Sequence, residues 1–416
     1  MKSQANRPVL EGRVRDVVPS GDAVVETASG VVFARGGLPG EQVRVRLDNK
    51  AGRVRRGRII GVSTPSASRV EPPCKYAERC GGCSLMHAEL AQQRALQRGF
   101  LEAALRKVGA EVEVRFSPSP RTLGYRVRAR LAFRKRQLGF HRGRSEELVD
   151  IDTCLVLAPP LQQALTMLRE SVLPELTGEG ELSLALGSEE RAVVVLRTET
   201  PQSPALYRAA EGLVPALAGV ALYVAGATTP AQFGDAREWS RAHDGSPLEG
   251  PIGGFSQAHR EVNDALVARV TELAQCEGMR VLELYAGSGN FTVALARGAQ
   301  SYVAIEQAPD AVRALRQNLS QRALGAKVVE GDVMRSLAGP ALDVVVLDPP
   351  RTGAPGVLPA LLARKPKRIV YVSCDPATLA RDVAEVLARG YVLRWAEAFE
   401  MFPQTADLES VVLLER

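Results

Sequence analysis

Aromatic residues make up only 5% of this chain, and no stretch of its sequence approaches the 18 or more apolar residues of a bilayer-spanning helix. The polar opening "MKSQANRPVLEG" also lacks the apolar segment of a secretory signal. We therefore expect a cytoplasmic protein with no membrane part. Six cysteines over this length are too sparse for the disulfide framework of a small secreted domain. Extended coiled-coil and repeat patterns are missing as well, which makes a monomer the simplest expectation.

What is present points to several folded units. With 416 residues, 45% apolar and 24% charged, the chain can bury two or three separate cores. Its charge is unevenly placed. Residues 1–150 hold 29 Lys and Arg against 15 Asp and Glu, whereas residues 151–416 hold 24 against 32. A basic first part joined to an acidic second part suits a polyanion that is held while it is modified.

Residues 9–61 alternate apolar and polar in short runs such as "LEGRVRDVV" and "EQVRVRLD", the pattern of a small oligonucleotide-binding type of barrel. Val43 and Val45 would face inward and Arg44 and Arg46 outward. A "STPSASRVEPP" linker follows, then a helix over 86–108 with Leu90, Leu96, Phe100, Leu101 and Leu105 on one face. Nine basic residues and no acidic one lie between Arg121 and Arg144. We divide the chain into a barrel (1–65), a central α+β unit with a basic surface (66–250) and a C-terminal unit (251–416).

From about residue 280 the sequence alternates apolar strands with helices: "RVLELYAG", "SYVAIE", "AKVVEGD", "LDVVVLDPP" and "RIVYVSC". These are the buried parallel strands of a doubly wound α/β sheet, whose ligands collect at the strands' carboxyl ends. In "VLELYAGSGNFTVALA", Gly287 and Gly289 let the backbone approach a ligand at the start of a helix near Asn290. The third glycine of a dinucleotide fingerprint is replaced by Thr292. Glu283 before the turn, Glu306 ending the next strand and Asp332 after the third fit S-adenosylmethionine better, with Glu306 on the ribose and Asp332 near the adenine. Asp348, in the rigid "DPPR" exit of the fourth strand, would stand over the pocket with Arg351.

Cys374 follows the fifth strand at the same rim, where a thiol is better placed as a nucleophile than as core filling. A methyl donor needs a nucleophile if the acceptor is carbon 5 of uracil, because addition of sulfur at carbon 6 makes carbon 5 reactive. A base must then remove the proton from carbon 5, and Glu409 at the start of the last apolar strand is the best candidate, ahead of Asp407 and Glu415. Methylation of another RNA atom, or RNA binding without transfer, are the alternatives. Cys74, Cys80 and Cys83 form C-x5-C-x2-C, and Cys154 completes a set of four soft ligands for zinc or an iron-sulfur cluster. Tyr76, Phe133 and Phe140 could stack on bases or equally fill a core.

Taken together, the cysteine quartet, "DPPR-x-G" and the string around "SCDPATLARD" resemble the uracil-5 methyltransferases of transfer and ribosomal RNA, over nearly the whole chain. The resemblance implies an N-terminal TRAM barrel, a central [4Fe-4S] domain and a C-terminal Rossmann-like class I methyltransferase domain, acting on structured RNA. It makes Cys74, Cys80, Cys83 and Cys154 the cluster ligands. It places Gln257, Tyr285, Asn290, Glu306, Asp332 and Asp348 around the methyl donor, with Cys374 as nucleophile and Glu409 as base. Three residues depart from the family pattern: His259 and Asp375 stand where Asn is usual, and Asp407 where His is common. The charge of Asp375 is expected to oppose ionisation of Cys374.

Overall fold

The computed structural model describes residues 7–48, 54–335, 337, 339 and 341–416. Residues 1–6 of the polar opening and Arg53 in the fourth alternating stretch lie outside them.

Strands β1 (Val9–Val17), β2 (Asp22–Thr27), β3 (Gly30–Arg35), β4 (Gln42–Leu47) and β5 (Arg56–Thr64) close into a barrel in the order β1-β2-β3-β5-β4. Period-two alternation drives this closure, since Val14, Val25, Val32, Val43 and Val45 fill the interior. Arg44 points outward between two buried valines, as the alternation requires.

After the barrel come helix α1 (Leu90–Arg106) and strand β6 (Val114–Ser117). The helix is four residues shorter at its start than its apolar spacing suggested. Its Leu96, Phe100, Leu101 and Leu105 are buried in the core of the C-terminal sheet, so this segment packs with the third unit although it precedes the second in sequence. Each such side chain contributes about 1.5–3 kcal/mol when fully buried.

The middle sheet has seven strands in the order β13-β12-β11-β10-β7-β8-β9. They are β7 (Arg128–Arg134), β8 (Gln137–His141), β9 (Leu148–Asp150), β10 (Glu179–Leu186), β11 (Ala192–Thr198), β12 (Gly219–Val224) and β13 (Ala231–Gly234). Helices α2 (Pro159–Met167) and α3 (Pro204–Gly212) cover it through Leu161, Leu165, Leu206 and Ala210. A hairpin of β14 (Glu238–Arg241) and β15 (Pro247–Gly250) leads onward.

The C-terminal sheet contains β16 (Arg280–Leu284), β17 (Ser301–Glu306), β18 (Lys327–Glu330), β19 (Val344–Leu347), β20 (Arg368–Ser373), β21 (Val392–Phe399) and β22 (Glu409–Glu415). With β6 they run β18-β17-β16-β19-β20-β22-β21-β6. The five parallel strands match the apolar stretches of the sequence. The antiparallel insertion of β22 between β20 and β21, and the recruitment of β6, were not legible there. Helices α4 (Arg260–Ala274), α5 (Thr292–Leu295), α6 (Pro309–Gln321), α7 (Val357–Ala363) and α8 (Pro376–Leu387) connect and cover the strands. The order reverses at β16 and β19, so the ligand crevice opens at their carboxyl ends. No described helix is long and apolar enough to cross a membrane.

Candidate active site

The register of β20 and β22 builds the centre of the site. Ser373 pairs with Ser410, and the Ser410 hydroxyl donates to the Ser373 carbonyl at 2.7 Å. One residue beyond that antiparallel pair, Cys374 follows the end of β20 and Glu409 begins β22, close enough for the Glu409 charge to act on the Cys374 thiol. Cys374 is half-buried, and Glu409 is 4% exposed. Burial first, and the Glu409 carboxyl second, push the Cys374 thiol up to about 12, while Arg351 pulls the other way. Burial likewise raises Glu409 well above the carboxylate range, helped by Asp348 and then Asp407 and opposed by Arg351. Asp348 is raised by burial too. Two acids in such a place hold a proton that one alone in water would release.

The structure therefore brings Cys374, Glu409, Asp348, Arg351 and Asp407 together. Arg351 donates to Asp407 Oδ1 at 2.9 Å. Asp375, by contrast, is engaged by a helix end. Its Oδ1 accepts from the N–H groups of Ala377 and Thr378, both at 2.9 Å, and so caps α8. Its charge is absorbed by the helix end, and it is not among the groups that raise Cys374. A residue the sequence reading passed over, Asp382, accepts from Tyr371 Oη at 2.6 Å and from the Ala354 amide at 2.8 Å, tying the loop after "DPPR" to α8.

Along the rim, Gly287 adopts φ +55° and donates its N–H to Glu306 Oε2 at 2.9 Å. Gly289 has φ +98°, and a Cβ there would sit 2.7 Å from Leu315 Cδ1, so the turn has no room for a side chain. Tyr285 is also left-handed, at φ +63°, and lies close enough to Asp332 to feel its charge. Asn290 exchanges two amide hydrogen bonds, at 2.8 and 3.0 Å, with Asn263 of α4, a partner the sequence reading missed. Asp332 Oδ1 accepts from the Met334 amide at 2.8 Å. Gln257 is half-buried in the segment before α4.

Glu283 does not line the crevice. It is fully buried, and its Oε2 accepts from Thr292 Oγ1 at 2.6 Å and Tyr302 Oη at 2.8 Å. Burial raises it to about 7. His259 is another interior residue. It stacks on Tyr125 at 4.7 Å, its Nε2 meets Ser119 Oγ at 2.6 Å, and burial lowers its pKa. Tyr76 and Phe133 fill the middle core, and Phe140 is packed against it.

Cys74, Cys80, Cys83 and Cys154 line one cavity of about 490 Å³, which also reaches Arg351 and Asp407. Burial pushes Cys83 up to about 12, while Arg126 acts in the opposite sense on Cys83 and Cys154. The Gly82 N–H donates to Cys80 Sγ at 3.4 Å. Among the described residues, no group of three or more His, Cys, Asp or Glu side chains is placed to hold a metal ion.

Six of the nine basic residues in this stretch lie in ion pairs, five of them with acids distant in sequence. Arg121 pairs with Glu261, Arg128 with Glu238, Arg130 with Glu181, Arg134 with Glu179, Arg142 with Glu147 and Arg144 with Asp22. Of the nine basic residues, only Arg126, Lys135 and Arg136 have no ion pair among the described residues.

The strand order, with its glycine turn at the topological switch, is that of a Rossmann-like class I methyltransferase carrying an N-terminal closed five-stranded barrel. Residues 335–416 match the family model described as tRNA (Uracil-5-)-methyltransferase, and residues 261–373 match one described as Conserved hypothetical protein 95. The chain is 34% identical to the 23S rRNA (uracil(1939)-C(5))-methyltransferase RlmD of Pectobacterium atrosepticum, over 96% of this chain and 92% of that protein. It is 36% identical to the RlmD of Pseudomonas fluorescens, over 92% and 87%. The crystal structure of Pyrococcus abyssi tRNA (uracil-54, C5)-methyltransferase in complex with S-adenosyl-L-homocysteine superimposes with a TM-score of 0.79 at 25% identity, covering 97% of this chain and 99% of that one. The chain belongs to the RlmD family of RNA uracil-C5 methyltransferases.

Proposed function

We propose that this protein transfers a methyl group from S-adenosylmethionine to carbon 5 of a uridine in ribosomal RNA. The observation that carries the reading is Cys374, at the exit of β20, lying within electrostatic reach of the buried carboxyl of Glu409 at the start of the neighbouring β22. Ribosomal RNA is preferred over transfer RNA because the RlmD relatives match at 34–36% identity, against 25% for the transfer-RNA enzyme. The protein works in the cytoplasm, as a monomer.

The donor occupies the rim lined by Gln257, Tyr285, Gly287, Gly289, Asn290, Glu306, Asp332 and Asp348. Glu306 exchanges its present contact with the Gly287 amide for the ribose hydroxyls. A uridine flipped out of its RNA reaches Cys374 from the side of Arg351. The thiol releases its proton to solvent, and the thiolate sulfur adds to carbon 6. The resulting enolate carbon 5 takes the methyl from the sulfonium, releasing S-adenosylhomocysteine. Glu409 then removes the proton from carbon 5, the carbon-sulfur bond breaks, and the double bond and the thiolate are restored. A positive sulfonium bound near Asp348 would favour release of the proton held by the acid pair, leaving Glu409 free to act as base.

Cys74, Cys80, Cys83 and Cys154 line one cavity, and four thiolate donors suit an iron-sulfur cluster, which the family resemblance favours over zinc. Held there, a [4Fe-4S] cluster would make the loop rigid. The methyl transfer needs no electron from it. We assign residues 1–65 and 66–250 to RNA binding and 251–416 to transfer, with α1 and β6 completing the third unit.

The test is incubation of the full chain with ribosomal RNA fragments and S-adenosylmethionine, followed by nucleoside mass analysis. The reading expects 5-methyluridine; a methyl group on another atom, or none while RNA binds tightly, overturns it.

A further inference from the structure

Arg351 is the cation that acts on Cys374, and its guanidinium is held by a residue that departs from the family pattern. Arg351 Nη2 donates to Asp407 Oδ1 at 2.9 Å. The backbone of Asp407 is itself fixed from both sides. Its carbonyl accepts from the Gln97 side chain of α1 at 3.0 Å, and its N–H donates to Thr405 Oγ1 at 3.1 Å. The charged groups facing Cys374 are Glu409, Arg351 and Asp348, and those facing Arg351 are Asp407, Cys374 and Asp375. Asp375 is occupied by the amides of α8, which leaves Asp407 to hold the guanidinium.

We propose that Asp407 is a positioning residue that keeps the Arg351 guanidinium turned toward the Cys374 sulfur, so that the thiolate can form beside a buried carboxyl. The proposal rests on the covalent route above. Arg351 needs such a tether, because its side chain is 68% exposed and otherwise free to swing into solvent. An argument of sign separates positioning from simple charge. If Asp407 acted through its charge alone, it would oppose a negative sulfur, and neutralising it would ease ionisation of Cys374. If it holds Arg351 in place, neutralising it releases the guanidinium and makes ionisation harder.

The experiment compares the full-length protein with Asp407→Asn, Asp407→Glu, Arg351→Gln and the Arg351→Gln/Asp407→Asn double variant. Alkylation of Cys374 by iodoacetamide is followed against pH by peptide mass mapping, and kcat and KM are measured on uridine-containing RNA. Asp407→Asn is expected to slow Cys374 alkylation near pH 8 by about three- to tenfold, an upward shift of roughly half to one pH unit. The drop in kcat should be similar with the donor KM unchanged, Asp407→Glu should recover most of it, and the double variant should lose no more than Arg351→Gln alone. Unchanged or faster alkylation in Asp407→Asn, or additive losses in the double variant, overturns the proposal. Alkylation is read without RNA, so it decides the matter even if the protein makes no 5-methyluridine, an outcome that would count against the function alone.

Discussion

Ser84, the residue after Cys83, accepts a hydrogen bond from the Ala406 amide at 2.9 Å, three positions before Glu409. Its neighbour Leu85 donates to the Gln404 carbonyl at 2.9 Å, so the cysteine loop grips the segment that leads into Glu409. Ser84→Ala leaves the Ala406 N–H without its partner, at a cost of about 1–3 kcal/mol. We expect kcat to fall about three- to tenfold with little change in the donor KM, because the base is displaced while the cofactor rim is untouched. Steady-state kinetics on RNA will check this.

The same grip would link a cluster held by the four cysteines to Glu409. The purified protein should carry about four irons with visible absorption, and Cys80→Ser or Cys154→Ser should abolish both. Removing the iron should speed amide hydrogen exchange across residues 401–408, since Ser84 and Leu85 then lose their anchor. Stoichiometric zinc without iron would show the assignment to be wrong.

Glu283 gives stability an unusual pH dependence. Its folded pKa is about 7, above its unfolded value, so the folded state binds the proton more tightly. Its contribution is complete below the unfolded pKa near 4.3 and is lost as pH rises through about 7, amounting to about 4 kcal/mol. Glu283→Gln should make the decline in stability between about pH 4 and 7 shallower. Denaturant titrations at several pH values provide the measurement.

RNA affinity should depend on the barrel face more than on the basic stretch. Arg134 is already paired with Glu179, at 2.6 Å, whereas Arg44 is exposed and has no ion pair among the described residues. Arg44→Ala should lower the slope of log affinity against log salt by about one, and Arg134→Ala by much less. Equal effects would move the RNA to the other surface.

The parallel strands were legible because each carries a short, mostly apolar run, a pattern that burial on both faces favours. Cys374 stood out because it ends such a run. The sequence could not reveal what depends on distant partners. The acids that cancel the basic stretch come from across the chain, and Asn263 meets Asn290 only once α4 has packed. Glu283 looked like pocket lining because it precedes the glycine turn. Alternation along β16 instead points it into the helix-covered layer, to Thr292 and Tyr302. Asp375 looked like a threat to the thiol until its role as a helix cap became visible.

The central claim is a covalent bond between Cys374 and the pyrimidine, and the intact mass of the protein after reaction with RNA containing 5-fluorouridine tests it most directly. Fluorine at carbon 5 cannot be abstracted as a proton, so once the methyl has arrived the adduct has no way to eliminate. The account predicts a species with the combined mass of protein, RNA and one methyl group, mapped to Cys374 and missing from Cys374→Ala. A folded Cys374→Ala protein that still methylates uridine at the wild-type rate, or an adduct on another residue, would contradict it.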